Sequence, residues 1–168
     1  RLAFFLRPKD IDKGRVKLTD PRILYATMHT DVRPISALRG HCTVRHMDLI
    51  PASELAAYRE QPDNFYFTQF FDRHINRVYE AVPVSKVQNL PVAIKQKLRS
   101  TYEYVLVENI KALGLLESQR TCATCEKWCP PADSVGCVDC KRHFHLGCLN
   151  PPMAKKPHKN YAWQCTDC

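Results

Sequence analysis

The sequence predicts a mainly β body with short helices, followed by a small module held by metal rather than by a core of its own. Three observations lead there. The first 120 residues contain repeated runs in which apolar and polar side chains alternate, the period of a half-buried strand. Eight of the nine cysteines crowd into residues 122–168, leaving Cys42 alone in the body. Seven of those eight, joined by one histidine, fall into four short pairs with the spacing that zinc sites use.

In the body, Leu2 to Leu6 (LAFFL) is an apolar run that predicts a buried strand. Residues 22–28 and 42–47 alternate and predict two more; Asn64 to Phe71 predicts a longer, aromatic one. Ser53 to Glu60 reads as a short helix, with Ser53 placed to cap it and Glu54 in its first turn. Gln61-Pro62-Asp63-Asn64 then turns the chain. Pro91 opens a second helix that runs to about Ser100, because a first turn has no use for the N–H that proline lacks. Residues 102–107 fit two periods. Their alternation favours a strand, yet Leu98, Tyr102, Val105, Leu106 and Asn109 share one helical face. Cys42, close to His41 and His46, is expected to be an inert core thiol.

At 168 residues the chain has room for one ordinary domain and a small module, and 45% apolar content excludes wholesale disorder. No run approaches the ~18 apolar residues of a membrane-spanning helix. The apolar opening is too short and wrongly flanked for a signal peptide, so the chain reads as an internal fragment. The formal charge of +8 first suggests an acidic partner such as nucleic acid. Arg and Lys are dispersed rather than striped, which argues against a DNA-reading helix and leaves at most weak, salt-dependent DNA contact. Five scattered glycines cannot build a phosphate-cradling loop, and nothing suggests a small-molecule substrate.

The module carries Cys122-x-x-Cys125, Cys137-x-x-Cys140, His145-x-x-Cys148 and Cys165-x-x-Cys168. Each pair aims two soft ligands at one point, and two pairs complete a tetrahedral site. So short a segment rarely gains more than roughly 3–5 kcal/mol from burial, whereas structural zinc contributes an apparent ~10–16 kcal/mol. Disulfides fit poorly: the cysteine total is odd, close C-x-x-C pairs bridge badly, and a histidine shares the rhythm. Eight ligands close both sites, leaving no open position for catalysis, so a non-enzymatic binding protein is expected.

Four cysteines, a histidine and three cysteines, with Trp163 two residues before Cys165, Phe144 before His145, and HLGCLNPP after it, resemble a PHD finger over residues 121–168. That resemblance implies two interleaved zinc sites, Cys122, Cys125, His145 and Cys148 in one and Cys137, Cys140, Cys165 and Cys168 in the other, with Cys129 and His143 as bystanders. A RING finger usually has histidine as its fourth ligand, where this chain has Cys140, and it would not explain Trp163.

The body resembles a BAH domain, through Phe4-Phe5-Leu6-Arg7-Pro8, His29-Thr30-Asp31-Val32, the strand Leu38 to Val44 (LRGHCTV) and Phe65-Tyr66-Phe67. The resemblance implies a partly open β-barrel over residues 1–120, with a helical extension from about 91 and the family's first strands missing before Arg1. A BAH domain directly followed by a PHD finger is similar to the large fungal BAH–PHD–SANT subunits of histone-modifying complexes, which implies a nuclear chromatin reader with histone H3, the nucleosome and other complex subunits as partners.

PHD fingers usually add the H3 tail as an antiparallel strand. Carried onto this chain, the receiving segment is Asp133, Ser134, Val135, Gly136 and Val138, with Asp139 and Glu126 as further acids, Asn160 near the tail's amine, and Trp128 as the one aromatic wall. One wall makes no cage, which favours unmodified or acetylated lysine over trimethyl-lysine. In the BAH domain the positions of a methyl-lysine cage and its histone contacts fall on Phe4, Leu6, His29 and Asp31; Leu6 has no π face. The other readings are a BAH-mediated methyl-lysine reader and a scaffold that assembles a complex without reading histones.

Overall fold

In the computed structural model, which describes residues 2–11, 20–158 and 161–168, the run Leu2–Leu6 is the first strand (β1). A single helical turn, Pro8–Ile11 (α1), follows. Strands Ile23–Asp31 (β2), Thr43–His46 (β3), Asn64–Asp72 (β4), Arg77–Pro83 (β5) and Tyr104–Val107 (β6) complete one sheet. Its order is β1-β2-β4-β5-β6, with β3 also paired to β4. Residues 102–107, ambiguous by period, thus contribute a strand, because pairing with β5 from Glu80 to Pro83 satisfies the backbone. Helices Ala52–Glu60 (α2), Val92–Thr101 (α3) and Asn109–Leu116 (α4) punctuate the strands. Pro51, rather than Ser53, occupies the N-cap of α2, and no side chain caps it.

Strand β4 organises the sheet because its edges and faces are all used. β3 pairs with its first half, from Asn64 to Phe67, and β5 with its second, from Gln69 to Asp72; β2 runs parallel to it from Tyr66 to Phe70. The β2–β4 register slips between Leu24 and Tyr25, leaving Thr68 as an extra residue on β4. Such a bulge resets which face each side chain takes. It explains why Phe67 and Phe70, three apart, share one buried cluster with Ala81, Val44, Tyr79 and Tyr104. Tyr66 points the other way, into a cluster with Ile50, Tyr58 and Leu55. Cys42 lies outside β3 and is exposed, which corrects its expected core placement.

Chain contacts divide the protein into two units, one formed by residues up to 86 with 101–112, the other by 87–100 with 113–168. In the second, Ser134–Gly136 (β7) and His143–His145 (β8) form a two-stranded sheet. Its core is Val135, Cys137, Phe144, Leu146 and Cys165, with Trp163 packed edge-on to Phe144 at 5.5 Å. Asn89 is buried in this unit. Its Nδ2 donates to the Gly114 carbonyl, and its Oδ1 accepts from the Arg120 N–H and from Nε1 of Trp128. No helix among the described residues is long and apolar enough to cross a membrane.

Candidate metal centres and ligand-binding strand

Two knuckles with the same backbone build the metal centres. The N–H of Glu126 donates to the Cys122 carbonyl at 2.8 Å, and that of Lys141 to the Cys137 carbonyl at 3.1 Å. Both residues adopt left-handed φ, 57° and 59°. A tight reversal of this kind brings the two thiols of a C-x-x-C pair to one side. His145 ends β8, and Cys148 closes the helical turn that follows.

The ligand atoms of Cys122, Cys125, His145 and Cys148 lie within 4.8 Å of one another, and so do those of Cys137, Cys140, Cys165 and Cys168. These are the two interleaved sets that the resemblance implied. His145 Nε2 lies 3.0 Å from the Trp128 carbonyl, and its Nδ1 3.4 Å from Cys125 Sγ. With Nε2–H donating to that carbonyl, the lone pair on Nδ1 is turned toward the thiols, the outer-shell arrangement that orients a metal-binding histidine. At the second site Arg142 Nε donates to Cys140 Sγ at 3.3 Å, while its Nη2 holds Asp167 at 2.9 Å. Burial pushes the Cys122 thiol up, but the backbone N–H groups of His145, Cys125 and Thr124 bring it down to about 6. The Cys165 N–H leads the backbone donors that lower Cys137 to about 6. Soft thiolates in closed four-ligand sets fit zinc, and two zinc ions are the cofactors. Cys129 stands apart from both sets and is buried, which pushes its thiol up and keeps it inert.

Two zinc ions and seven thiolates add −3, so the formal charge falls from +8 to about +5. Residues 121–168 hold six basic and four acidic side chains, and zinc loading turns their +2 into about −1. The remaining surplus belongs to residues 1–120.

The β7–β8 sheet has one closed edge and one open. On the outer side of β8, Cys122 bridges His143 and the Ala123 N–H donates to the His143 carbonyl at 2.8 Å. No strand among the described residues covers the outer side of β7. Ser134 and Val135 are buried on β7, Gly136 is exposed, and exposed Asp133 sits just before the strand. Val138 is exposed beyond it, and Asp139 accepts from Gln164 Nε2. Glu126 is exposed on its knuckle. Trp128 is half-buried, with its indole N–H on Asn89 and its carbonyl on His145, so it packs the module together. Asn160 lies outside the described residues.

In the body, the Phe4 and His29 rings lie 5.6 Å apart between centroids, tilted by 36°, and Asp31 follows His29 two residues on along β2. The Arg33 guanidinium lies 6.0 Å over the Phe4 ring and pairs with Asp31 at 3.0 Å. The protein's own cation therefore stands on the aromatic face a methyl-lysine would need. Leu6 is half-buried opposite Tyr25. A small cavity of about 130 Å³ lies beside His29, lined also by Phe70, Phe71 and Arg73. Sequence reasoning missed Asn89, Arg33 and Arg142. Only Arg142 carried a signal, through its place two residues after a ligand cysteine.

Residues 1–83 match the BAH domain profile and residues 122–168 the PHD-finger profile. The chain is a BAH domain followed by a PHD finger. Over its full length it is 38% identical to the Lid2 complex component snt2 of Schizosaccharomyces pombe and 30% identical to the E3 ubiquitin-protein ligase SNT2 of Saccharomyces cerevisiae. It spans only 15% and 14% of those proteins. Over 50 residues, 29% of the chain and 5% of the relative, it is also 42% identical to the human PHD finger protein 14.

Proposed function

We propose that this chain is the histone-reading part of a nuclear chromatin regulator, in which the PHD finger receives the amino-terminal tail of histone H3 along β7. The observation that carries this reading is the open edge of β7 beside a closed β8 edge, which, among the described residues, leaves the β7 side of this two-stranded sheet for a peptide to add as a strand. Ser134, Val135 and Gly136 offer the backbone, with Val138 at the strand's far end. Asp133, Asp139 and Glu126 supply carboxylates, and Asn160 is assigned to the amine end. A slightly acidic zinc-loaded finger suits a basic tail. Unmodified or acetylated lysine is the favoured state, because Trp128 is tied into the fold and His143 stands where readers of trimethyl-lysine place a second aromatic. The BAH domain supports the finger or adds a histone contact through His29 and Asp31, and Arg33 on Phe4 weighs against a methyl-lysine cage there. Calorimetric titration of the chain with H3 tail peptides tests the reading: binding is lost on amino-terminal acetylation, and equal binding of the acetylated peptide overturns it. A scaffold gives no sequence-dependent hits in a modified-histone peptide library.

A second reading follows from the name of the S. cerevisiae relative, in which the finger serves a ubiquitin ligase. Ubiquitin discharge from a charged conjugating enzyme, accelerated by this chain alone, would favour it over a binding role.

A further inference from the structure

Within the BAH body, the cavity beside His29 combines two kinds of wall. Met28 and the buried rings of Phe70 and Phe71 form the apolar part, and His29, Asp72 and Arg73 bring polar atoms to it. Its volume, about 130 Å³, is well below the roughly 300–1,000 Å³ of a site for a drug-sized molecule, and suits the head of one side chain. The strands that build it, β2 and β4, are neighbours in the sheet, so the sheet itself holds the walls.

The polar atoms are only partly used. Arg73 Nη1 lies 3.4 Å from His29 Nε2. A guanidinium can only donate, so Nε2 accepts and the imidazole proton sits on Nδ1, for which no described residue supplies an acceptor. Arg73 makes no ion pair among the described residues and keeps further donors. Asp72 Oδ1 accepts the N–H groups of His74 and Ile75, while its Oδ2 makes no hydrogen bond among the described residues. The His29 backbone is fixed: its N–H donates to Thr27 Oγ1, whose own proton is on the Phe4 carbonyl. Donors and an acceptor therefore stand ready beside an apolar wall.

We infer that this cavity binds the head of an acetylated lysine side chain. The amide carbonyl accepts from Arg73 or from the His29 Nδ1–H, the amide N–H donates to Asp72 Oδ2, and the methyl packs on Phe70 and Phe71. Burying an amide is costly unless both its polar groups are bonded, which this wall provides. A charged head is disfavoured. Arg33 is paired with Asp31 and Arg73 follows Asp72, so the charges beside the cavity cancel. The aromatic face that a methylated ammonium needs, the Phe4 ring, already carries Arg33. Trimethyl-lysine and free lysine also bring no acceptor for the Arg73 donors. The inference deepens the reading of a histone contact at His29 and rests on that reading alone, not on the tail along β7.

The test uses the zinc-loaded 168-residue chain with three probes, acetyl-lysine, trimethyl-lysine and lysine, each as its Nα-acetyl methylamide. The acetyl-lysine probe shifts the backbone amides of 27–29 and 70–74, and the other two leave them unmoved. Arg73→Met keeps an apolar stem and removes the donors; affinity for the acetyl-lysine probe then falls about tenfold, the loss of one charge-assisted hydrogen bond. Equal or larger shifts at these amides from the trimethyl-lysine or lysine probe overturn the inference while leaving a histone contact at His29 standing. Silence from the acetyl-lysine probe, shifts confined to 134–138, or an unchanged affinity in the folded variant overturns it outright. No probe has a free amino-terminus or a histone sequence, so tail binding on β7 is read separately. The wild-type map decides by itself should the variant fail to fold.

Discussion

Oδ1 of Asn89 accepts the indole N–H of Trp128 at 3.2 Å, joining a residue just ahead of α3 to the loop between the first zinc pair and β7. The same side chain also holds the Arg120 N–H and the Gly114 carbonyl. A buried amide that meets three partners is costly to lose, because each partner left unpaired forfeits about 1–3 kcal/mol.

Asn89→Ala is therefore expected to destabilise the finger unit by about 2–4 kcal/mol. Urea unfolding followed by Trp128 and Trp163 fluorescence measures it. A loss under about 0.5 kcal/mol, the size of an ordinary surface change, would show that water replaces these bonds.

Removal of zinc by a chelator is expected to unfold residues 121–168, since structural zinc supplies most of the stability of so small a core. The helix α3 groups with the finger by its contacts and is expected to lose amide protection with it, while β4 and β5 keep theirs. Hydrogen exchange with and without metal distinguishes the two; α3 protection that survives chelation would separate that helix from the finger.

Arg142→Ala removes the donor to Cys140 Sγ and the link to Asp167. Zinc affinity at the Cys137, Cys140, Cys165 and Cys168 site should fall about 10–100-fold, with the His145 site unaffected. Chelator competition would then release one ion per chain well before the other. Simultaneous release of both would contradict a local role.

Glu126 stands at φ 57° after its knuckle. Glu126→Val is expected to destabilise the zinc-loaded finger by about 1–2 kcal/mol, because a β-branched side chain is poorly tolerated there, and Glu126→Gly to be neutral or stabilising. Thermal unfolding of both variants checks the order.

His46 is buried between Phe67 and Tyr104, its Nδ1 accepting the Asp48 N–H and its Nε2 without a hydrogen-bond partner among the described residues. Burial lowers its pKa below 6.5, opposed more weakly by Asp48, by the backbone of Ala81 and Thr68, and by Glu103. The unfolded chain then binds a proton that the folded chain refuses. Stability is complete above about pH 6.5 and falls as the pH drops from there through the folded value. His46→Phe should flatten this part of the urea-midpoint profile between pH 5 and 7; an identical profile in wild type and variant would assign the acid sensitivity to other groups.

The ligand pairs, the strand runs of β1 to β4 and the two sets of family motifs were legible in the amino-acid sequence, because each is written in residues a few positions apart, whereas β5 and β8 were not read from it. A C-x-x-C turn or an alternating run is set by local backbone geometry, whatever surrounds it. Spacing left open which pairs share an ion, and the knuckles Cys122–Cys125 and Cys137–Cys140 look alike until His145–Cys148 and Cys165–Cys168 are brought against them. Residues 102–107 became a strand only when β5 offered a pairing edge. The tertiary structure alone decided that Asn89 is buried, that Arg33 stands on the Phe4 ring, that Thr68 bulges and that Cys42 faces solvent. Burial and pairing of that kind depend on segments tens of residues apart, and no periodicity along the chain encodes where those segments meet.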